Sequence, residues 1–335
     1  MKNIKEYIST LLFFFVLIIV VFIELYDGQN FFVSGDSLSP IAIKHGFQNY
    51  FNYYSHYPLW TPWIFSGMPT IHSFINISSC YYPHKIILFI NSLGIPWIWN
   101  FLFHFIFGGF GMYLLLRFLK QSKYAALFSA IGFMIMPYMV VMTAYGHGSQ
   151  IMTATYIPWI IMFLIKSLNQ SKISNYAVLS LLIGLQLQRG HIQIAYYTWM
   201  MIGLYIIINL CFEIKGIKIK FNRFKKYFHL IVSLFFGFLM SMNIFFPVLN
   251  YSSHSIRGSN NGGAGIEFAT QWSFSFLEIF TFLIPSFSGF GGKLYWGDMP
   301  FTDYPNYIGI LFLIFALIGI VKSPVKNIYK RFFIL

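Results

Sequence analysis

Acidic side chains are what this sequence has least of. Only 9 of its 335 residues are Asp or Glu, against 22 Lys and Arg, and charged residues make up 9% of the chain. A soluble domain carries roughly 25%, so a water-facing globule is excluded. Cysteine is nearly absent as well, with Cys80 and Cys211 the two present. That pair supports neither a disulfide-stapled scaffold nor a cysteine metal site. The sequence has no Walker loop, no GxGxxG and no CxxC, which argues against a nucleotide or redox enzyme.

Apolar residues fill the space instead, at 57% of the chain, with aromatics at 21%. Apolar stretches near 20 residues recur, the length that about 30 Å of hydrocarbon requires at 1.5 Å per residue. The sequence therefore predicts an all-α polytopic membrane protein, one transmembrane module over 1–335. About eight spans are expected, at roughly 7–26, 96–116, 124–144, 150–168, 175–190, 192–212, 228–250 and 304–321. A short surface helix at 86–95 precedes the second. The basic N-terminal flank and apolar run to about Tyr26 could be a cleaved leader, but no small-x-small site follows. The run is read as a retained first span.

Charge orients the chain. With a cytoplasmic N-terminus, all basic residues but Lys44, Lys85, Arg189, Arg257 and Lys293 fall on the inner side, as the positive-inside rule demands. The net charge of +13 then reflects topology and implies no nucleic-acid partner. Cys80 and Cys211 fall on opposite sides and cannot pair. Lys215 to Lys226 reads as a topology anchor or an anionic-lipid patch. Both termini are expected in the cytoplasm, with the working face outside, where Glu24, Asp27, Asp36, Glu267, Glu278, Asp298 and Asp303 gather.

Two long segments lie on that outer side, 27–95 and 251–303, joined by the short connections YGHGSQ (145–150) and QRGHIQ (188–193). The fifth span is short and ends at Arg189-Gly190-His191. Polar backbone at membrane depth is tolerated only where protein buries it or water reaches it, so a cavity opening outward is expected. Prolines break the first segment, in which 38–54 can form an amphipathic surface helix. Its Trp60 and Trp63 fit either an interfacial aromatic belt or contacts to a sugar or lipid tail. In the second segment the glycines and asparagines of RGSNNGGAG (257–265) predict a mobile loop, and 274–285 is too short to span. No internal repeat is visible, which weakens an inverted-repeat transporter. Phe332 to Leu335 looks like the start of a further span, so a fragment of a longer protein is expected.

The motifs Gly35-Asp36 after span one, PLWTPWIFSGMPT, YGHGSQ with IPW soon after, TFLIPSF and YWGDMPFTDYPNYIGI resemble, in that order, the bacterial YfhO-type membrane-protein family. That family in turn resembles the GT-C class of membrane glycosyltransferases. The resemblance covers most of the 335 residues but only the N-terminal part of the longer members. It implies a bacterial cytoplasmic-membrane enzyme that takes sugar from a polyprenyl-phosphate donor on the outer face. It also implies the catalytic acid in the first outer loop, where Asp36 stands.

Such a transfer needs a base for the acceptor hydroxyl and cations for the departing phosphate. Asp36 suits the base, or else caps a helix over 37–54. Asp27, nearer the span end and followed by Gly28, is a weaker candidate. Arg189, His191, His147 and Arg257 are the basic outward candidates for the donor phosphate. An arginine at the apolar edge is otherwise explained by snorkelling or by pairing with an outer acid. His147 and His191 could alternatively hold a divalent metal with Asp36. Asp298 and Asp303 are candidates for acceptor or cation binding, or simply turn residues. Many GT-C enzymes carry a second acid in another early outer loop, and YGHGSQ has none. The alternatives to a transferase are a transporter or flippase of lipid-linked saccharides, and a non-catalytic membrane assembly protein.

Overall fold

A chain segment inside hydrocarbon must satisfy its own backbone, and a helix does so with internal hydrogen bonds alone. The structure, a computed structural model, describes residues 2–73, 80–214, 221–255, 258, 265–289, 292–300, 302, 306–322 and 327–334. Over these residues it is mostly helical. α1 (Lys2–Val21) leads through turns to α2 (Gly35–Tyr54). β1 (Trp60–Thr61) and β2 (Met68–Pro69) form a small antiparallel ribbon, Trp60 opposite Pro69. α3 (Thr70–Ser73), α4 (His84–Ser92) and α5 (Trp99–Phe118) follow.

Prolines then divide two long apolar stretches. α6 (Lys123–Met134) gives way to α7 (Pro137–Ala144), and α8 (Gly148–Ala154) to α9 (Ile157–Gln170), each second piece carrying Pro in its first turn. Proline is accepted there because that N–H has no helical partner anyway. α10 (Ile173–Gln188), α11 (Ile192–Ile214), α12 (Phe221–Leu239) and α13 (Met242–Ser252) complete the main bundle. Beyond it lie α14 (Ile266–Thr270), a 3-10 turn at Leu277–Phe282, α15 (Ile310–Lys322) and α16 (Asn327–Ile334).

Five stretches are long and apolar enough to cross a membrane: Ile4–Val21, Trp99–Phe118, Lys123–Ala144, Gly148–Gln170 and Ile192–Phe212. α12 and α13, bent by 69°, make a sixth if they form one span. The chain is thus a multi-pass membrane protein by length and composition. The other two expected spans fall on α10 and α15, of 16 and 13 residues, short of the roughly 20 that a bilayer takes. α10 is short because its apolar run stops at Arg189 and Gly190. The surface fits hydrocarbon: on α1, Phe14 and Ile18 are buried, while Leu12, Val16 and Val20 are exposed on the other side. Water would not tolerate so continuous an apolar face.

Polar groups fix the ends of the bundle. The Glu6 carboxylate accepts from Tyr113 Oη at 2.5 Å and from Arg117 Nε at 3.0 Å, while Trp99 Nε1 donates to the Tyr26 carbonyl at 2.9 Å. α1 and α5 are therefore antiparallel and pinned at both ends. The end that holds Glu6 also gathers cations: Lys166 lies over Phe118, and Arg331 of α16 lies over Phe212. Phe332, where the sequence suggested a new span, is buried in α16 against Tyr205.

α9 and α10 run through the middle of the core, with Ile160, Leu164, Ile165, Leu179 and Ile183 fully buried. α10 and α12 cross closely. A Cβ at Gly237 would lie 2.9 Å from the Ser180 carbonyl oxygen, and one at Gly184 would lie 2.8 Å from Met240 Cβ. Such small-residue contacts are how helices associate where lipid removes the hydrophobic drive. Overpacking costs about 1–3 kcal/mol, so Gly237→Leu should lower the melting temperature of the detergent-solubilised protein. Gly203→Leu, where an added Cβ meets nothing within 4 Å, should leave it unchanged in the same thermal scan.

Candidate functional site

The start of α2 is fixed by serine, not by aspartate. Ser34 Oγ accepts from Ser37 N at 3.2 Å, and Ser37 Oγ accepts from Ser34 N at 2.8 Å, a reciprocal capping box. The alternative role of Asp36, as the cap of this helix, is corrected: its carboxylate is not the cap. It lies in the first turn with its side chain 72% exposed, where the helix dipole favours a negative charge. Asp27 has a turn role, its Oδ1 accepting from Gln29 N at 3.0 Å.

Gly146 sets the partner of Asp36. Its φ is +89°, and a Cβ there would lie 2.5 Å from the Asp36 carbonyl carbon. Only glycine combines that conformation with that approach. The connection from α7 to α8 therefore sits against the first turn of α2, and His147 Nε2 comes within 3.5 Å of Asp36 Oδ2. His191 belongs to the same group. Burial pushes its imidazole pKa below the usual range, and His147 pushes it further. Its Nδ1 accepts from Ile194 N at 3.4 Å.

Arg189 takes a different direction. It ends α10, is 5% exposed, and stacks its guanidinium 4.6 Å from the centroid of the Tyr81 ring. Tyr81 Oη bonds to His104 Nε2 at 3.1 Å and to Tyr156 Oη. His104 Nδ1 donates to the Asn100 carbonyl at 2.6 Å. A carbonyl only accepts, so in the neutral ring Nε2 accepts from Tyr81, which leaves Tyr156 to donate to Tyr81. Gln188 anchors this group: Oε1 accepts from Tyr82 N at 3.2 Å, and Nε2 donates to the Met240 carbonyl at 2.8 Å. His84, buried at the start of α4, faces Trp97, over whose ring Lys44 Nζ lies at 3.9 Å.

The remaining expected residues lie apart or outside the described residues. Trp63 packs on Gly46 and Phe47 of α2, and Trp60 covers Gly67. Both hold the ribbon in place and keep about half of each indole exposed. Asp298 neighbours Tyr295, whose pKa is pushed up to about 12 by burial and by its bond to Glu278, with Asp298 adding to the effect. Glu278 is buried there and also accepts from Ser275 N at 2.9 Å. Arg257 and Asp303 lie outside the described residues, as does most of 215–226. Among the described residues no three His, Cys, Asp or Glu side chains are grouped to hold a metal ion. Asp36, His147 and His191 therefore do not form a three-ligand metal site.

Sequence reasoning missed Lys44, Tyr81, His84, His104, Tyr156 and the buried Glu278. His104 carried a usable signal, an ionisable residue inside an apolar span. Tyr81 and Tyr156 carried none, in a chain so rich in aromatics. No protein-family model matches the chain, and neither does any curated protein or solved structure.

His84 resembles His191 in having its pKa lowered, first by burial and then by Arg189 and Lys44. The unfolded chain, with histidines near 6.5, binds more protons than the folded one between the lowered values and that pH. Stability should hold above about pH 7 and fall as pH drops through roughly 6.5. Thermal unfolding across pH 5–8 checks this, and the slope should flatten in a His84→Asn, His191→Asn double variant.

Proposed function

We propose that this protein is a GT-C-like glycosyltransferase of the YfhO type that its motifs resemble. It would move a sugar from a polyprenyl-phosphate donor to an acceptor on the outer side of a bacterial cytoplasmic membrane. The observation that carries this reading is Asp36: an acid in the first turn of α2, released from capping by Ser34, exposed, and 3.5 Å from His147. The reading takes the sequence topology of about eight spans, with α10 and α15 as short crossings and the Asp36 end of the bundle outward.

In this mechanism Asp36 accepts the proton of the acceptor hydroxyl as its oxygen attacks the anomeric carbon. The bond from that carbon to the phosphate oxygen breaks, its electron pair leaves with the polyprenyl phosphate, and the configuration inverts. The proton on Asp36 then passes to water. His147 orients the carboxylate. Arg189 and Arg257 supply positive charge on the donor side, and His147 and His191 offer ring N–H groups to the phosphate. Asp298 and Asp303, in the second outer segment, serve the acceptor, and Trp60 and Trp63 offer exposed indole faces to a sugar or lipid chain. The sugar and acceptor would be set by the outer segments.

The alternative, a transporter or flippase for lipid-linked saccharides, draws on the buried polar groups Gln186, Thr198 and His104 inside the bundle. It predicts movement of the saccharide across proteoliposomes with no covalent change. The transferase predicts that Asp36→Asn lowers sugar transfer by about 10²–10⁴-fold while the protein still inserts and melts as the wild type does. Membranes incubated with radiolabelled polyprenyl-phosphate sugars measure this. Full activity in that variant removes the mechanism.

A further inference from the structure

A cation taken out of water needs a counter-charge, and Arg189 has none among the described residues. It is buried, at 5% exposure, and its Nε has no hydrogen-bond partner among the described residues. The ion pairs among those residues are Arg117 with Glu6 and His147 with Asp36, so no carboxylate answers it. Its stacking on Tyr81 offsets only part of the cost of an unpaired buried ion. The Tyr81 hydroxyl is engaged with His104 and Tyr156.

The neighbouring Lys44 adds to the imbalance, and His84 brings a ring nitrogen that can donate to an anion. His84 is buried at the start of α4 and feels the charges of both Arg189 and Lys44. Lys44 reaches from α2 to lie 3.9 Å over Trp97, the ring that His84 also meets. α2 and α4 thus bring Lys44 and His84 to one ring, and Arg189 at the end of α10, stacked on Tyr81, lies within electrostatic reach of His84.

We propose that Arg189, His84 and Lys44 form a binding site for a phosphate ester, made of different residues from the Asp36–His147 pair. A tetrahedral phosphate offers charged oxygens in several directions and can meet donors from three elements, whereas a planar carboxylate offers two on one side. The setting favours a lipid phosphate. α4 begins at His84, and Ile86 and Phe89 on one of its faces, with Leu93 at its C-terminal end, are exposed, an apolar strip beside which the chain of such a lipid can lie. This deepens the transferase reading by naming where the donor phosphate rests. It leans on that reading for the donor's identity, not for the existence of the site.

The test measures binding by the full chain in detergent, using undecaprenyl phosphate, inorganic phosphate and uncharged undecaprenol. Undecaprenyl phosphate should raise the melting temperature of the wild type and of Asp36→Asn alike, and undecaprenol should not. Lys44→Ala and His84→Asn should weaken phosphate binding about tenfold, and Arg189→Gln should abolish it. Without ligand, Arg189→Gln should melt no lower than the wild type, because it removes an uncompensated charge. If that variant fails to fold, Lys44→Ala and His84→Asn carry the test. Equal binding of inorganic phosphate, lost in the same variants, would keep the site and assign it to the free ion. Unchanged affinity in the variants, or no saturable binding of either phosphate probe, overturns the proposal. Transfer that survives in Asp36→Asn alongside binding lost in these variants would sink the catalytic reading alone. The reverse result would sink this site alone.

Discussion

The cost of holding charge away from water organises this molecule. Where apolar helices meet hydrocarbon, an ionised side chain must reach an end of the bundle, find a partner or await one. Glu6 does the first two, meeting Arg117 and Tyr113 where α1 begins and α5 ends. Asp36 stays in solvent reach beside His147. Arg189 is the exception, buried and without a carboxylate partner among the described residues. That exception is what gives the Asp36 end of the protein its chemical character.

Backbone detail turns this constraint into geometry. The serine capping box at Ser34 and Ser37 secures the start of α2 without help from Asp36. Gly146 then lets the α7–α8 connection press against that turn. The two together place a carboxylate and an imidazole side by side. Gln188 does the corresponding work for Arg189, tying the end of α10 to the chain at Tyr82 and to the break between α12 and α13. Acid and cation are held by different helices, so the function proposed for them depends on the bundle being assembled.

Expectations from sequence fared differently according to how local their physics is. The helix expected at 38–54 is present as α2 at Gly35–Tyr54, and that expected at 86–95 as α4 at His84–Ser92, because proline and apolar spacing are read within a few residues. Capping, the alternative role for Asp36, falls two positions away at Ser34: Asp and Ser are both good caps, and the choice depends on which side chain meets which N–H. The expected grouping of Arg189 with His147 and His191 was also incomplete. Arg189 and His191 are two residues apart, yet one turns to Tyr81 and the other lies near His147. The direction of a side chain past a helix end is not written in spacing.

The amino-acid sequence alone determined the class of solvent. Scarce charge and repeated apolar runs of bilayer length require helices in a membrane, since a helix satisfies its own backbone without water and runs near 20 residues are about twice what a barrel strand needs. It also determined which few residues carry charge at the Asp36 end, because so few are available. Only the tertiary structure decided their companions. Tyr81, Tyr156 and His104 meet across 75 positions of chain, and Lys44 and His84 meet at Trp97 from α2 and α4. Such contacts arise from how helices cross, and that is set by the sum of many packing choices, such as Gly184 against Gly237, that no single stretch of sequence records.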